Sequence, residues 1–198
     1  MKKIFLALML AFASLYTLDA QITAPAVEER PDTDPKYAEG AAPIVDGHLV
    51  LTRTIDNNTV TDKAQVMTKL QNWIDRCMKD ERVRYNQPVE HDVPDAIQHL
   101  CTLELTFSKS FIAHDFADLT YVLILDASQP EKIQMTMTRI AFKYNEGGKP
   151  VKYQGEEVVS DKNTLNKKGR IIYGYRKFRM KTIDLMDELA ISLQKEFE

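Results

Sequence analysis

The chain has 198 residues, 44% of them apolar and 28% charged, with a formal net charge of −3. Such a mild balance names no partner by charge alone. No phosphate-binding glycine loop or nucleophile elbow stands out, so neither cofactor binding nor covalent catalysis has a motif to rest on.

Residues 1–20 begin with Lys2 and Lys3, continue through an apolar run from Ile4 to Leu15 and end in Leu18, Asp19 and Ala20. A basic start, a short apolar core and small residues before a break predict a secretory signal cleaved near Ala20. The run is shorter than the ~20 apolar residues of a membrane span, and a retained N-terminal anchor is the other reading. Export to the periplasm or beyond is expected, and the mature chain, with 24 Lys plus Arg against 28 Asp plus Glu, has no expected transmembrane segment. Residues 21–46 hold Pro25, Pro31, Pro35 and Pro43 among Glu28, Glu29, Asp32, Asp34 and Glu39. With few bulky apolar residues to offset its ordering entropy, this segment reads as a disordered acidic tether. Residues 47–198 then make one domain of ordinary size.

His48 to Ile55 alternates, with Leu49, Leu51 and Ile55 on one side, and predicts a strand. Asp62 with Gln65 starts a helix in capping-box fashion, and Val66, Leu70, Trp73, Ile74 and Cys77 form its apolar stripe. Val83 to Val89 suits a short strand, which Pro88 places at an edge. Cys101, Leu103, Leu105 and Phe107 share one face of the next strand. In the following run Leu119, Tyr121, Leu123 and Leu125 alternate with Thr120, Val122, Ile124 and Asp126, so this strand is apolar on both faces. Ile133, Met135 and Met137 then change parity to Ile140, Phe142 and Tyr144, which predicts a β-bulge near Thr138 or Arg139. Ser128 to Pro130 and the Gly147, Gly148 pair mark hairpins. Val151 to Val159 reads as extended but irregular, Asp161 to Gly169 as a polar loop and Arg170 to Tyr175 as a short strand. A final helix is predicted from Lys181 to Phe197, buried through Ile183, Met186, Leu189, Ala190, Leu193 and Phe197.

Four stretches carry a resemblance: LVLTRTIDN ending at Asn57, TDKAQVMTKLQNWIDRCM with Trp73, FKYNEGG ending at Gly148, and IDLMDELAISLQKEF in the last helix. In these and in element order the chain resembles a family of exported Bacteroidetes proteins, a domain of unknown function with a TATA-binding-protein-like (TBP-like) fold. The resemblance implies an α+β fold, a curved antiparallel sheet of about five strands with two helices on one face, ordered β-α-β(4)-α. It implies no activity for any residue. The fold name does not imply DNA binding, and no nucleic-acid partner is expected.

Candidate chemistry is sparse. Cys77 on the helix stripe and Cys101 on the inward strand face point into the same layer. In an oxidising compartment they permit a disulfide worth ~3 kcal/mol, and two buried thiols acting as core residues are the other reading. His99 with Cys101 and Cys77 lacks a fourth ligand and a tight local pair, so no zinc site is expected and His99 reads as a surface residue. His91 with Asp92 and His114 with Asp115 read as solvated pairs, and Glu156 with Glu157 as surface charges. From Lys162 to Lys181 eight Lys and Arg residues occur without an acid, interleaved with Tyr173, Tyr175 and Phe178. In that run Arg176, Lys177 and Arg179 are candidates to hold a polyanion, while a solvated basic face over a packed aromatic core is the plainer reading.

The expectation from sequence is a non-enzymatic binding or scaffolding domain of the bacterial cell envelope, without cofactor or metal. Its partner would be an envelope protein or glycan on the sheet face around Val122 and Ile124. The alternatives are an envelope hydrolase with a scattered site and a polyanion-binding module using residues 162–181.

Overall fold

The computed structural model describes residues 33–60, 62–90 and 93–198; the expected signal sequence and the first part of the tether lie outside them. The described residues belong to one compact unit.

The strands are β1 (Ile44–Val45), β2 (His48–Asp56), β3 (Val83–Pro88), β4 (Ala96–Lys109), β5 (His114–Asp126), β6 (Lys132–Glu146) and β7 (Lys149–Gln154). The helices are α1 (Lys63–Cys77), two single turns α2 (Gly155–Val158) and α3 (Asp161–Thr164), and α4 (Arg176–Gln194). One antiparallel sheet runs in the order β1-β2-β6-β5-β4-β3, with β7 also pairing to β6. The architecture is α+β as expected, but the sheet has seven strands where about five were expected. Of the two further strands, β7 completes the hairpin expected at Gly147 and Gly148, and β1 is the one not foreseen. Asp46 and Gly47, both at positive φ, turn β1 onto β2, and Gly147 and Gly148, both at positive φ, turn β6 onto β7. Positive φ at both central residues is the primed turn that suits the twist of paired strands.

The predicted bulge is present. Thr120 pairs with Ala141 and Val122 with Thr138, so Tyr121 alone faces Arg139 and Ile140. Arg139 absorbs the extra residue at φ 50° and leaves its side chain exposed. Met137 and Ile140 therefore both point inward, at 0% and 1% exposure.

Both long helices cover the same face of the sheet. Val66, Leu70, Trp73 and Ile74 of α1 and Phe178, Met186, Leu189 and Leu193 of α4 join one cluster with Leu51, Leu103, Leu119, Leu123 and Met135 from the strands. Asp62 caps α1 by accepting from the Gln65 amide at 2.9 Å, and the Trp73 indole donates to Ser192 Oγ at 3.1 Å, tying α1 to α4. Asn57, nearly buried, donates to the Pro130 carbonyl at 2.8 Å and so pins the β2–α1 loop to the β5–β6 turn.

Three local expectations are corrected. The tether is folded from Asp34 onward: Asp34 caps a 3₁₀ turn over Pro35–Tyr37, Tyr37 is buried against Ile171 and Ile183, and Ala42 is fully buried. Its anchors are mainly polar, so counting bulky apolar residues missed them. Residues 155–158 are helical, not extended, because Glu157 accepts from the Gln154 amide and closes a capping box. Arg170 to Tyr175 forms one bridge, Leu165 with Ile171, and a 3₁₀ turn over Tyr173–Tyr175 in place of a strand, and α4 begins at Arg176, five residues before the expected Lys181.

Candidate functional site

The second face of the sheet is the candidate surface. No described element packs over it. Its rows follow from the register: Val50, Thr138, Val122, Leu100 and Gln87 lie side by side, as do Thr52, Thr136, Ile124 and Gln98. Around this centre lie Thr54, Thr102, Thr120 and Ala141, with Tyr85 47% exposed at the β3 edge. The face is thus a threonine lattice around a small apolar patch. Thr102 and Thr120 hydroxyls meet at 2.9 Å, and Thr138 donates to the Leu49 carbonyl at 3.1 Å. β-Branched threonines fit a pleated surface and use hydroxyls that would otherwise seek water.

The two residues expected to mark this face behave differently. Ile124 is partly exposed and available. Val122 is only 6% exposed although no helix lies over it; it is enclosed by same-face neighbours on its own strand and by Thr138 and Leu100 on either side. Contact with a partner would therefore fall on Ile124, Leu100 and Val50, with Val122 as their support.

The basic run does not converge on one surface. Arg179 is 0% exposed and its guanidinium is fully engaged. It donates to the carbonyls of Tyr37 (2.8 Å), Ala38 (2.8 Å) and Val159 (2.6 Å) and pairs with Asp161 at 2.7 Å. A polyanion has no access to it, which corrects its assignment as a binding residue: Arg179 is a clasp that fastens the N-terminal segment to α4. Lys177 pairs with Asp115 at 3.1 Å and donates to the Tyr144 hydroxyl at 2.6 Å. Arg176 lies over the ring of Tyr173, 5.4 Å from its centroid. The missed signal for Arg179 was its place on the apolar stripe of α4, four residues before Ile183.

Cys77 and Cys101 face the same helix–sheet layer as predicted, and both are free thiols in the structure. Burial pushes the Cys77 thiol up to about 11 and the Cys101 thiol up to about 12. Both are protonated at neutral pH and poor nucleophiles. Cys101 Sγ lies 3.7 Å from Met78 Sδ, a core contact. Beside them is a hollow of about 120 Å³ lined by Cys77, Tyr121 and Leu189 and closed by Arg82 bridging Asp80 and Glu188. That volume is below the ~300 Å³ of small-molecule sites.

His99 is corrected from surface to interior: it is 4% exposed, its Nδ1 is 2.6 Å from Asn86 Oδ1, and burial lowers its pKa. His114 stands at the start of β5, 3.2 Å from Glu104, while Asp115 is taken by Lys177, so the two do not form a base with its orienting carboxylate. His91 and Asp92 lie outside the described residues. Glu156 accepts from the Leu49 amide at 2.8 Å and Glu157 from the Gln154 amide, which makes both parts of the scaffold. No group of three or more His, Cys, Asp or Glu suited to a metal ion occurs among the described residues, and no described helix is long and apolar enough to cross a membrane.

This geometry defines an α+β domain with one covered and one open sheet face, and two solved structures are similar to it in overall fold. The chain is similar to a DUF4468 family protein from Bacteroides ovatus, at TM-score 0.72 and 26% identity over 82% of this chain and 93% of that one. It also shares its fold with a TBP-like protein from Parabacteroides distasonis, at TM-score 0.57 and 16% identity over 79% of this chain and 99% of that one. The resemblance to a Bacteroidetes domain of unknown function with a TBP-like fold is therefore borne out. No family model matches the chain, and no curated protein does.

Proposed function

We propose that this chain is a non-enzymatic binding or scaffolding domain of the bacterial cell envelope, and that a protein partner docks on the open sheet face. The observation that supports this most is the asymmetry of the sheet: helices cover one face, while the other offers a patch of Ile124, Leu100 and Val50 framed by hydroxyls. A small apolar centre with a polar surround is the composition of a docking patch, and threonines supply hydrogen bonds at its rim. Among the described residues, His114, Asp115, Glu156 and Glu157 are each engaged by a structural partner, which speaks against the hydrolase reading. The envelope setting rests on the leader expected over residues 1–20.

A photocrosslinking residue placed at Ile124 in cells, with the same residue at Ile191 on the outer side of α4 as control, tests the reading. Ile191 is 60% exposed, so both positions reach solvent. A discrete protein adduct from position 124 that is absent from position 191 is the expected result. No adduct, or the same adducts from both positions, would sink the proposal.

A further inference from the structure

The hairpin joining β4 to β5 ends in a closed turn. The Ser110 amide donates to the Ala113 carbonyl at 2.8 Å, and the Ala113 amide donates back to Ser110 Oγ at 3.1 Å. The two apex residues are Phe111 and Ile112, where turns ordinarily carry Gly, Asn, Asp or Pro. They are 105% and 90% exposed, so neither buries area against its own domain. No described residue covers their apolar surface.

The surroundings of this tip indicate what that is. The β6–β7 turn stands beside it at the same end of the sheet, since Ala117 pairs with Tyr144 and Tyr144 with Val151. The start of α4 is fixed there too, through Lys177 on Asp115 and through Phe178, whose ring lies 4.8 Å from that of Phe107. Phe116, 37% exposed near the base of the hairpin, adds to the apolar surface. The charges are mostly basic. Lys109 flanks the tip, and no acid lies between Glu104 and Asp115. Lys143, Lys149 and Lys152 are exposed around the neighbouring turn, with Glu146 and Asp118, the latter opposite Lys143, as the acids among them. In a chain of net charge −3, Lys109, Lys143, Lys149 and Lys152 outnumber Asp118 and Glu146 at this end.

We propose that the Phe111–Ile112 tip inserts into the surface of an anionic lipid bilayer, with the surrounding lysines facing the headgroups. A convex pair of apolar side chains needs no complementary pocket, only an apolar layer beneath a polar one, and basic neighbours add attraction to anionic lipid. Each contribution alone is weak, and together they make a reversible anchor. The inference is independent of the Ile124, Leu100 and Val50 patch, which lies further along the strands.

The full chain carrying Phe111→Trp, mixed with vesicles of phosphatidylglycerol and phosphatidylethanolamine, tests it with a probe local to the tip. Trp73 is 1% exposed and gives a constant background. The expected result is a blue-shifted emission quenched by brominated acyl chains, weaker in high salt and on phosphatidylcholine vesicles. Adding Ile112→Ser should weaken the vesicle titration by roughly tenfold. A Tyr85→Trp reporter on the sheet face should not respond. An unchanged Phe111→Trp emission overturns the proposal, as does a shift of equal size on phosphatidylcholine. A shift that grows with protein concentration without vesicles would assign the tip to a second copy of the chain and overturn it equally.

Discussion

The two faces of the sheet are built from the same strands by the same alternation, yet they do different work. On the covered face Leu49, Leu51, Leu119, Leu123, Met135 and Met137 are all at 0% exposure beneath α1 and α4. On the open face threonine is the commonest residue at the alternate positions, and Val122 reaches 6% exposure with no described element above it. Burial under a helix removes a side chain from water together with a whole layer of neighbours, whereas burial within a sheet face needs only the side chains beside it. The first kind holds the domain together. The second smooths a surface and leaves it available.

The sharpest way to break this comparison is to attack the fastening of the covered side. Arg179→Ala leaves three carbonyls and the Asp161 carboxylate without their donor in a buried site, and should cost about 3–5 kcal/mol. Chemical denaturation would show it, and proteolysis should cut the segment around Tyr37 first. Next come adjacent residues of β5 on opposite faces: Leu123→Ala should cost about 2–5 kcal/mol and Ile124→Ala no more than about 1 kcal/mol. Equal losses would mean that the open face is covered after all. Gly155→Ala should cost about 1–3 kcal/mol, because a Cβ there would stand 2.8 Å from Ile140 Cβ and Leu49 Cδ2. A shift in melting temperature smaller than that of Ile124→Ala would contradict it.

The smallest effect is one of pH. Burial depresses the pKa of His99 below its ordinary 6.5, so the folded chain keeps the imidazole neutral where the unfolded chain has taken up a proton. Its contribution to stability is present above 6.5 and lost as pH falls through the folded value. The stability advantage of the parent over His99→Gln should shrink on the acidic side of 6.5, and an advantage that grows there would show that the charged form is the one held.

Much of the scaffold was legible in the residues. The period-two runs located β4, β5 and β6, the parity change between Met137 and Ile140 located the bulge, and Asp62 with the stripe from Val66 to Ile74 located α1. These are signals carried by near neighbours, because alternation and capping act over a few residues. The β1–β2 hairpin had its signal too, in Asp46 and Gly47, but the acidic, proline-rich composition around it outweighed a single turn dipeptide. The site was less legible. Val122 and Ile124 lie two apart on one face with the same hydropathy, and only the cross-strand partners decide that one is enclosed and the other available.

The sequence by itself therefore determined the class of the protein: α+β, with one long helix near each end of a run of antiparallel strands and no motif for catalysis. The tertiary structure decided what the charged and isolated residues do. Arg179 looked like part of a basic surface until carbonyls from Tyr37, Ala38 and Val159, distant in sequence, closed around it. Phe111 and Ile112 are by sequence two apolar residues in a loop, and it is the turn that leaves both exposed. Local patterns follow from backbone geometry, but the burial of a charge and the exposure of an apolar pair are set by which distant segments arrive beside them.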